Sequence, residues 1–181
     1  MTNHVHLIVI PERAESLPLA LKQTHGRYAS YLNARSAASG HVWQGRYYSC
    51  PLDPHHCWTA LRYTELNPVR AGMVTQPDVF PWSSAAVHCG KSSDARLDMT
   101  PWGASWTPEA WCEYLGAAGA DTDADVIRRN THTGRPLGHA DFVADLERAL
   151  HRRLAPAKGG RPPKEQAVVE QEAFRFADAR G

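Results

Sequence analysis

The chain has 181 residues and a net charge of +1, with 20 Lys plus Arg, 19 Asp plus Glu and 43% hydrophobic residues. This composition is close to that of average folded proteins, so the chain is expected to fold at least in part. At about 150 residues per domain, the length predicts one domain with an appendage and excludes a TIM barrel of about 250 residues.

Neither a membrane span nor a signal peptide is predicted. No window approaches the about 20 apolar residues that cross a bilayer, and polar residues follow Met1 where a signal peptide would be basic and then apolar. The expected location is the cytoplasm. The 4 cysteines include no C-x-x-C pair, so we expect them to be reduced and to fill the core.

The first predicted element is a buried strand at residues 4–10, a short run rich in β-branched residues that Pro11 ends. A single strand is not stable alone, and no other convincing strand follows within about the next hundred residues. The partners of this strand are therefore expected to be missing from the chain or to have a weak sequence signal, and a truncated N-terminus is the favoured interpretation.

Two helices are predicted next. The first covers residues 17–34, where apolar side chains recur at helical spacing. After a loop at residues 39–48, the second helix begins at Asp53 as the cap, with Pro54 in its first turn. It is expected to end near Asn67, because Pro68 disfavours helical geometry in the residue before it.

The second half predicts a loop, two helices and a tail. Residues 75–107 are rich in Pro, Ser, Gly and Trp, and Trp82, Trp102 and Trp106 are the expected anchors of this loop. The chain is expected to divide into a core at 1–115, a helical basic extension at 116–155 and a disordered tail at 156–181. A short helix at 108–115 is expected to end the core.

Positive charge is concentrated in the extension and tail. Residues 126–164 carry nine cations against three anions, and 16 of the 20 cations of the whole chain are Arg, whose planar guanidinium suits phosphate. This segment predicts either a contact with a polyanion or a solvated helix face followed by a tail.

His4 and His6 lie two residues apart, so on a strand their side chains project from the same face. Tyr63 and Asn67 are four apart and share one face of a helix. A metal ion held by His4, His6 and Asn67 would place a phosphodiester before the Tyr63 hydroxyl, which needs a cation because a phenol has an ordinary pKa of about 10. The alternatives are a chance histidine pair, a core tyrosine and a helix-ending asparagine.

Three ordered blocks carry a family resemblance: MTNHVHL at residues 1–7, SGHVWQGR at 39–46 and YTELNPVRAG at 63–72. Together they resemble the REP-associated tyrosine transposases (RAYT), a branch of the single-tyrosine HUH transposases. TGRPLG at 133–138 and the basic tail resemble the C-terminal extension of many members.

The resemblance implies an α+β fold, a remnant of a ferredoxin-like HUH sheet with packed helices that lacks its N-terminal part. It implies that His4, His6 and Asn67 bind Mg²⁺ or Mn²⁺ and that Tyr63 is the nucleophile. Members cleave single-stranded DNA near a hairpin, form a 5′-phosphotyrosine and rejoin the ends, and related transposases include dimers.

Further residues are predicted to bind the DNA by stacking on bases or holding phosphates. They are Arg27, Trp43, Arg46, Tyr47, Tyr48, Arg70, Arg135, Arg152, Arg153 and Arg161. Core packing is the alternative for Trp43 and Tyr47, and a structural hydrogen bond is the alternative for Arg46. Two other functions stay open: a non-catalytic DNA-binding remnant, and a metal hydrolase in which His4 and His6 activate water.

Overall fold

The computed structural model describes residues 3–117 and 123–155, and the regular structure within these ranges is helical. In chain order the helices are α1 (Ser16–Arg35), α2 (Pro54–Arg70), α3 (Ala85–His88), α4 (Thr100–Gly103), α5 (Pro108–Gly116), α6 (Ala124–Thr133) and α7 (Ala140–Leu150), with a 3-10 turn at Pro77–Val79. None of them, within the described residues, combines the length and apolar character that crossing a membrane requires.

The expected α+β fold with a remnant of a ferredoxin-like sheet is wrong for the described residues. They contain no sheet, and their β-type pairing is one isolated parallel bridge between Leu52 and Leu137. Residues 4–10 are not a strand, and Val5 and Ile10 are 66% and 74% exposed. The β-branched pattern favours extended backbone, but a strand also needs a neighbouring edge to bond, and the described residues supply none.

α1 confirms the helix predicted at residues 17–34, yet none of its residues is buried. Trp43 of the following loop contacts this helix: its indole N–H donates to the His25 carbonyl at 3.0 Å, and the Trp43 and His25 rings stack at 3.9 Å. The N-terminal part of the chain therefore keeps large apolar side chains in solvent, among them Leu19 and Tyr31.

α2 is the central element of the packed part. Its start is confirmed, because the Asp53 carboxylate accepts from the His56 backbone N–H and Pro54 occupies the first turn. Its predicted end near Asn67 is wrong, since Pro68 lies inside the helix. Pro68 has no N–H for the Thr64 carbonyl, and the Arg70 guanidinium donates to the adjacent Tyr63 carbonyl at 2.8 and 3.0 Å, which supports this turn.

One side of α2 packs on a tryptophan-rich cluster built with α4 and α5. Leu66, Trp102, Trp111 and Leu115 are its buried members, and Trp106 packs against them. Trp102 and Trp106 thus confirm two of the three expected anchors, whereas Trp82 is 86% exposed, so its prediction is wrong.

Glu65 is fully buried beside the tryptophan-rich cluster. Its carboxylate accepts from the Trp111 indole N–H at 2.8 Å and from the Ser84 hydroxyl, and it lies 2.6 Å from His88 Nδ1. A buried carboxylate needs such partners because an unpaired charge in the interior is costly. These hydrogen bonds connect α2 to α3 and α5.

The other side of α2 packs on the C-terminal extension. Tyr63 forms a cluster with Ala124 and Ile127 of α6 and with Leu137. α6 lies within the predicted helical extension, although the sequence does not set its bounds, because apolar residues are few in this stretch. It ends at Gly134, whose φ of 68° is the left-handed conformation that glycine adopts readily.

Two further expectations concern the cysteines and the tail. Cys89 and Cys112 form a disulfide with their Cα atoms 5.6 Å apart, which corrects the expectation that all four thiols are reduced. Cys50 and Cys57 are free and half-buried. The predicted tail at 156–181, with Arg161, lies outside the described residues, as do residues 118–122 of the predicted extension.

Candidate functional site

A shallow surface hollow of about 290 Å³ lies where the N-terminal segment, α2 and α6 meet. Its lining residues are His4, His6, Tyr48, Tyr63, Ile127, Arg128, Thr131 and His132. The predicted histidine pair and the predicted nucleophile thus share one cavity. We refer to His4, His6, Tyr63 and Arg128 as the Tyr63 site.

The histidine pair lies next to the tyrosine. The ring centroids of His4 and His6 are 5.0 Å apart, and those of His6 and Tyr63 are 5.7 Å apart, both edge to face. Burial lowers the pKa of His6, and the nearby His4 and Arg70 lower it further. His6 therefore favours the neutral imidazole, the form that can bind a metal ion.

Two guanidinium groups contact Tyr63, whose side chain is otherwise buried. Arg128 Nε donates to the Tyr63 hydroxyl at 3.2 Å, and the Arg70 guanidinium lies 4.4 Å from the centre of the ring. The contact with the Tyr63 hydroxyl, together with Asp125, raises the pKa of Arg128. Positive charge therefore lies at the atom where a nucleophilic tyrosine would carry negative charge.

Asn67, the predicted third metal ligand, does not line this hollow. It is buried, and its side-chain oxygen lies 3.4 Å from Arg70 Nη1, a hydrogen-bond donor. Four residues along a helix displace Asn67 from Tyr63 by about 6 Å along the axis, so a shared face does not by itself bring both to one cavity.

The predicted DNA-binding residues differ in exposure. Arg27, Arg46, Tyr47, Arg152 and Arg153 are exposed, whereas Trp43, Arg70 and Arg135 are half-buried. The stacking of Trp43 on His25 occupies one face of its indole ring. Tyr48 is 64% exposed and lies 5.3 Å from the His132 ring at the hollow, so it is the aromatic side chain best placed to meet a base there.

A second histidine-containing group, which the sequence analysis does not anticipate, consists of Asp53, His56 and His139. We refer to these three residues as the Asp53 group. Asp53 Oδ1 is 2.7 Å from His56 Nδ1, and Asp53 Oδ2 is 2.8 Å from His139 Nδ1. All three offer ligand atoms within 4.8 Å of one another, so this group can hold a metal ion.

The charge of Asp53 is strongly favoured. Burial alone would raise its pKa, but the backbone N–H groups and imidazoles of His56 and His139 hydrogen-bond to the carboxylate and hold its pKa far below the ordinary value. The sequence indicates only the helix cap at Asp53. His139 lies 86 residues away, so no local spacing signals the group.

The structure thus contains two candidate sites. The Tyr63 site offers a tyrosine hydroxyl with cations and imidazoles, and the Asp53 group offers a carboxylate with two imidazoles. Comparison of the chain with protein-family models, with curated proteins and with solved structures finds no match.

Proposed function

We propose that this protein is a transposase-like enzyme that cleaves and rejoins single-stranded hairpin DNA through a 5′-phosphotyrosine at Tyr63. The observation that carries the proposal is the meeting of the Tyr63 hydroxyl with Arg128 Nε at 3.2 Å in the hollow that His4 and His6 also line. A nucleophile, a cation for phosphate and the imidazole pair are thereby within one site.

The proposed step is a phosphoryl transfer. The Tyr63 oxygen forms a bond to phosphorus, the bond from phosphorus to the 3′ oxygen breaks, the phenol proton passes to water and the departing oxygen takes a proton from water. Arg128 holds the phosphate and stabilises the negative charge that develops. Because the phosphotyrosine keeps a phosphodiester bond, a 3′-hydroxyl can reverse the step and rejoin DNA without ATP.

A divalent cation, Mg²⁺ or Mn²⁺, belongs to this proposal. His4 and His6, whose rings are 5.0 Å apart, fit as two ligands of Mn²⁺ better than of Mg²⁺, which prefers oxygen ligands, and the Asn67 oxygen already faces Arg70. When bound, such an ion supplies positive charge to a phosphate oxygen. The two imidazoles are then the side chains of this site that would hold it, and phosphate oxygens or water would complete its shell.

The proposed partner is hairpin or single-stranded DNA, encountered in the cytoplasm. Exposed Arg27, Arg46, Arg152 and Arg153 are available for phosphates, and exposed Tyr47 and Tyr48 for bases. A stacked base contributes about 1–3 kcal/mol, so two tyrosines suffice for a measurable contribution to affinity. This chemistry is compatible with a monomer and with a homodimer.

The test is covalent capture of labelled hairpin DNA with single-stranded flanks, in the presence and absence of Mn²⁺. The wild-type chain is expected to give a complex that survives denaturation, and Tyr63→Phe is expected to bind the DNA but give none. Tyr31→Phe is the matched control, because Tyr31 is exposed, lies outside the hollow and is not among the residues proposed to bind DNA. An adduct of Tyr63→Phe at the wild-type level would refute the proposal.

A second candidate is a non-catalytic DNA-binding protein derived from such a transposase. Two observations favour it: Asn67, the expected third ligand, contacts Arg70 and does not line the hollow, and residues 4–10 have no strand partner in the described residues. In the same assay this candidate gives salt-sensitive binding and no covalent complex with any metal ion.

A further inference from the structure

We propose that Asp53, His56 and His139 form a binding site for a zinc-like divalent cation, separate from the Tyr63 site. The three residues come from two segments, the start of α2 and the start of α7, and their ligand atoms lie within 4.8 Å of one another. A carboxylate with two imidazoles is a ligand set that zinc and its neighbours in the first transition row accept.

The ligands are held in place before any ion binds. The Asp53 side chain is 5% exposed, and its two oxygens accept the backbone N–H groups of His56 at 2.7 Å and His139 at 2.9 Å. These bonds fix the carboxylate relative to both helix starts. Binding then requires only that the two imidazoles turn and separate slightly, without rearrangement of the backbone.

The close approach of the backbone before α7 to the Asp53 carboxylate depends on Gly138. A Cβ on Gly138 would clash with the Phe142 ring and lie 3.0 Å from Asp53 Oδ2. Glycine therefore lets the chain before α7 approach the carboxylate closely enough for His139 to reach it. The site is a product of this contact between α2 and the C-terminal extension.

The ligand set selects the class of ion. At present each Nδ1 lies at hydrogen-bond distance from one carboxylate oxygen, at 2.7 Å for His56 and 2.8 Å for His139. Binding places the lone pair of each Nδ1 on the cation, with the ring proton carried on Nε2. Two nitrogen donors favour Zn²⁺, Co²⁺ or Ni²⁺, whereas Mg²⁺ prefers oxygen ligands and gains little here.

The surroundings of the Asp53 group bear on how an ion would be held. Two helix N-termini meet at Asp53 and their dipoles favour its negative charge, so a cation must be held there by the three ligand atoms against both dipoles. The imidazole of His139 is 71% exposed, which leaves solvent access for the ion and for a water ligand. The His55 ring neighbours both imidazoles, with its centroid 5.4 Å from that of His56 and 5.9 Å from that of His139.

A bound ion would connect α2 to α7 and so hold the basic extension against the core. The structural consequence is testable by melting: Zn²⁺ is expected to raise the unfolding temperature of the chain, because a ligand that binds only the folded state stabilises it. This expectation does not depend on whether Tyr63 attacks DNA.

The experiment uses the full chain with His4→Ala and His6→Ala together, so that the Tyr63 site does not contribute ligands. Titration with Co²⁺, followed by visible absorption and calorimetry, is expected to show one remaining site. His139→Ala in this background is expected to weaken Co²⁺ binding at least about 100-fold, since loss of a direct ligand should exceed the about 10–100-fold cost of losing an outer-shell partner.

His151→Asn is the matched control, because His151 is an exposed histidine at the other end of α7 and its φ of 48° is one that asparagine tolerates. His56→Ala is a second variant with the same expected loss as His139→Ala. Absence of Co²⁺ binding in the His4→Ala and His6→Ala chain, or binding that both His139→Ala and His56→Ala leave unchanged, would overturn the proposal. Circular dichroism of each variant checks that it is folded.

Discussion

The Tyr63 site and the Asp53 group both contain two histidines, but they are supported in opposite ways. His4 and His6 lie on an exposed segment without a strand partner in the described residues. His56 and His139 lie at the starts of two helices, and the backbone N–H groups of both residues donate to the buried Asp53 carboxylate. Residue spacing along the chain therefore indicates which side chains can form a site, whereas contacts between distant segments determine how rigidly those side chains are held.

A bound ligand would therefore act differently at the two sites. At the Tyr63 site the imidazoles must be kept near Tyr63 by contacts that the extended segment makes itself, so DNA or a metal ion would contribute to their order. At the Asp53 group the fold has already placed the ligands, and an ion would reinforce a contact that exists without it.

The largest expected effect on stability is at Asp53. Asp53→Ala removes a helix cap and the hydrogen bonds from two backbone N–H groups, and is expected to lower the free energy of unfolding by about 2–4 kcal/mol. His4→Ala is expected to change it by less than about 0.5 kcal/mol, because His4 is exposed. Urea unfolding of both variants measures the contrast, and equal losses would contradict it.

Arg128→Ala is the next largest change, and it tests the chemistry of the Tyr63 site. Removing the guanidinium that contacts the Tyr63 hydroxyl is expected to slow covalent adduct formation about 100-fold, as the loss of a charge-stabilising donor does in other enzymes. Arg129→Ala is the control, because Arg129 is an exposed neighbour on α6 that does not line the hollow. Equal rates for the two variants would show that charge at the hydroxyl is irrelevant.

Gly138→Ala tests the close approach behind the Asp53 group. Its Cβ would meet Phe142 and the Asp53 carboxylate, and the strain is expected to cost about 1–3 kcal/mol of unfolding free energy. Gly26→Ala, in α1, has open space around the new methyl group and is expected to stabilise by about 0.5–1 kcal/mol. Thermal or urea unfolding that fails to give opposite signs would contradict this packing.

Cys50 gives the smallest expected effect and reports on the packing between the two sites. Burial raises the pKa of its thiol, which contacts the Arg135 carbonyl at 3.1 Å. In a Cys57→Ala chain, alkylation of Cys50 near pH 8 is therefore expected to be slower than in the urea-unfolded chain, and the gap should narrow as the pH rises towards the raised pKa. Equal rates at pH 8 would indicate that the extension does not cover Cys50.

The sequence predicts the helices best where local chemistry decides them. α1 appears where periodicity places it, α5 has nearly its predicted bounds, and the start of α2 follows from Asp53 and Pro54. The predicted end of α2 is wrong because the helix continues through Pro68. The Arg70 guanidinium supports this turn by donating to the Tyr63 carbonyl, an interaction that no local rule contains. The prediction of a strand at residues 4–10 is wrong because a preference for extended backbone does not provide a neighbouring strand to pair with.

The residues of the candidate sites likewise fall into those that the sequence indicates and those that depend on tertiary contacts. His4, His6 and Tyr63 come together as expected, although the segments that carry them are far apart in the sequence. Arg128 is visible in the sequence only as one cation of a basic stretch, and its contact with the Tyr63 hydroxyl depends on how α6 packs against α2. His139 likewise depends on a tertiary contact, so neither partner can be assigned from spacing alone.

Identification of the residue that carries DNA after the reaction tests directly whether Tyr63 is the nucleophile. Nuclease and trypsin treatment of a covalent complex should leave a nucleotide on the peptide at residues 63–70, which begins at Tyr63 and contains no other tyrosine. We predict the added mass on Tyr63. A nucleotide on the peptide at residues 47–62, which contains Tyr47 and Tyr48, would contradict the assignment of Tyr63 as the nucleophile.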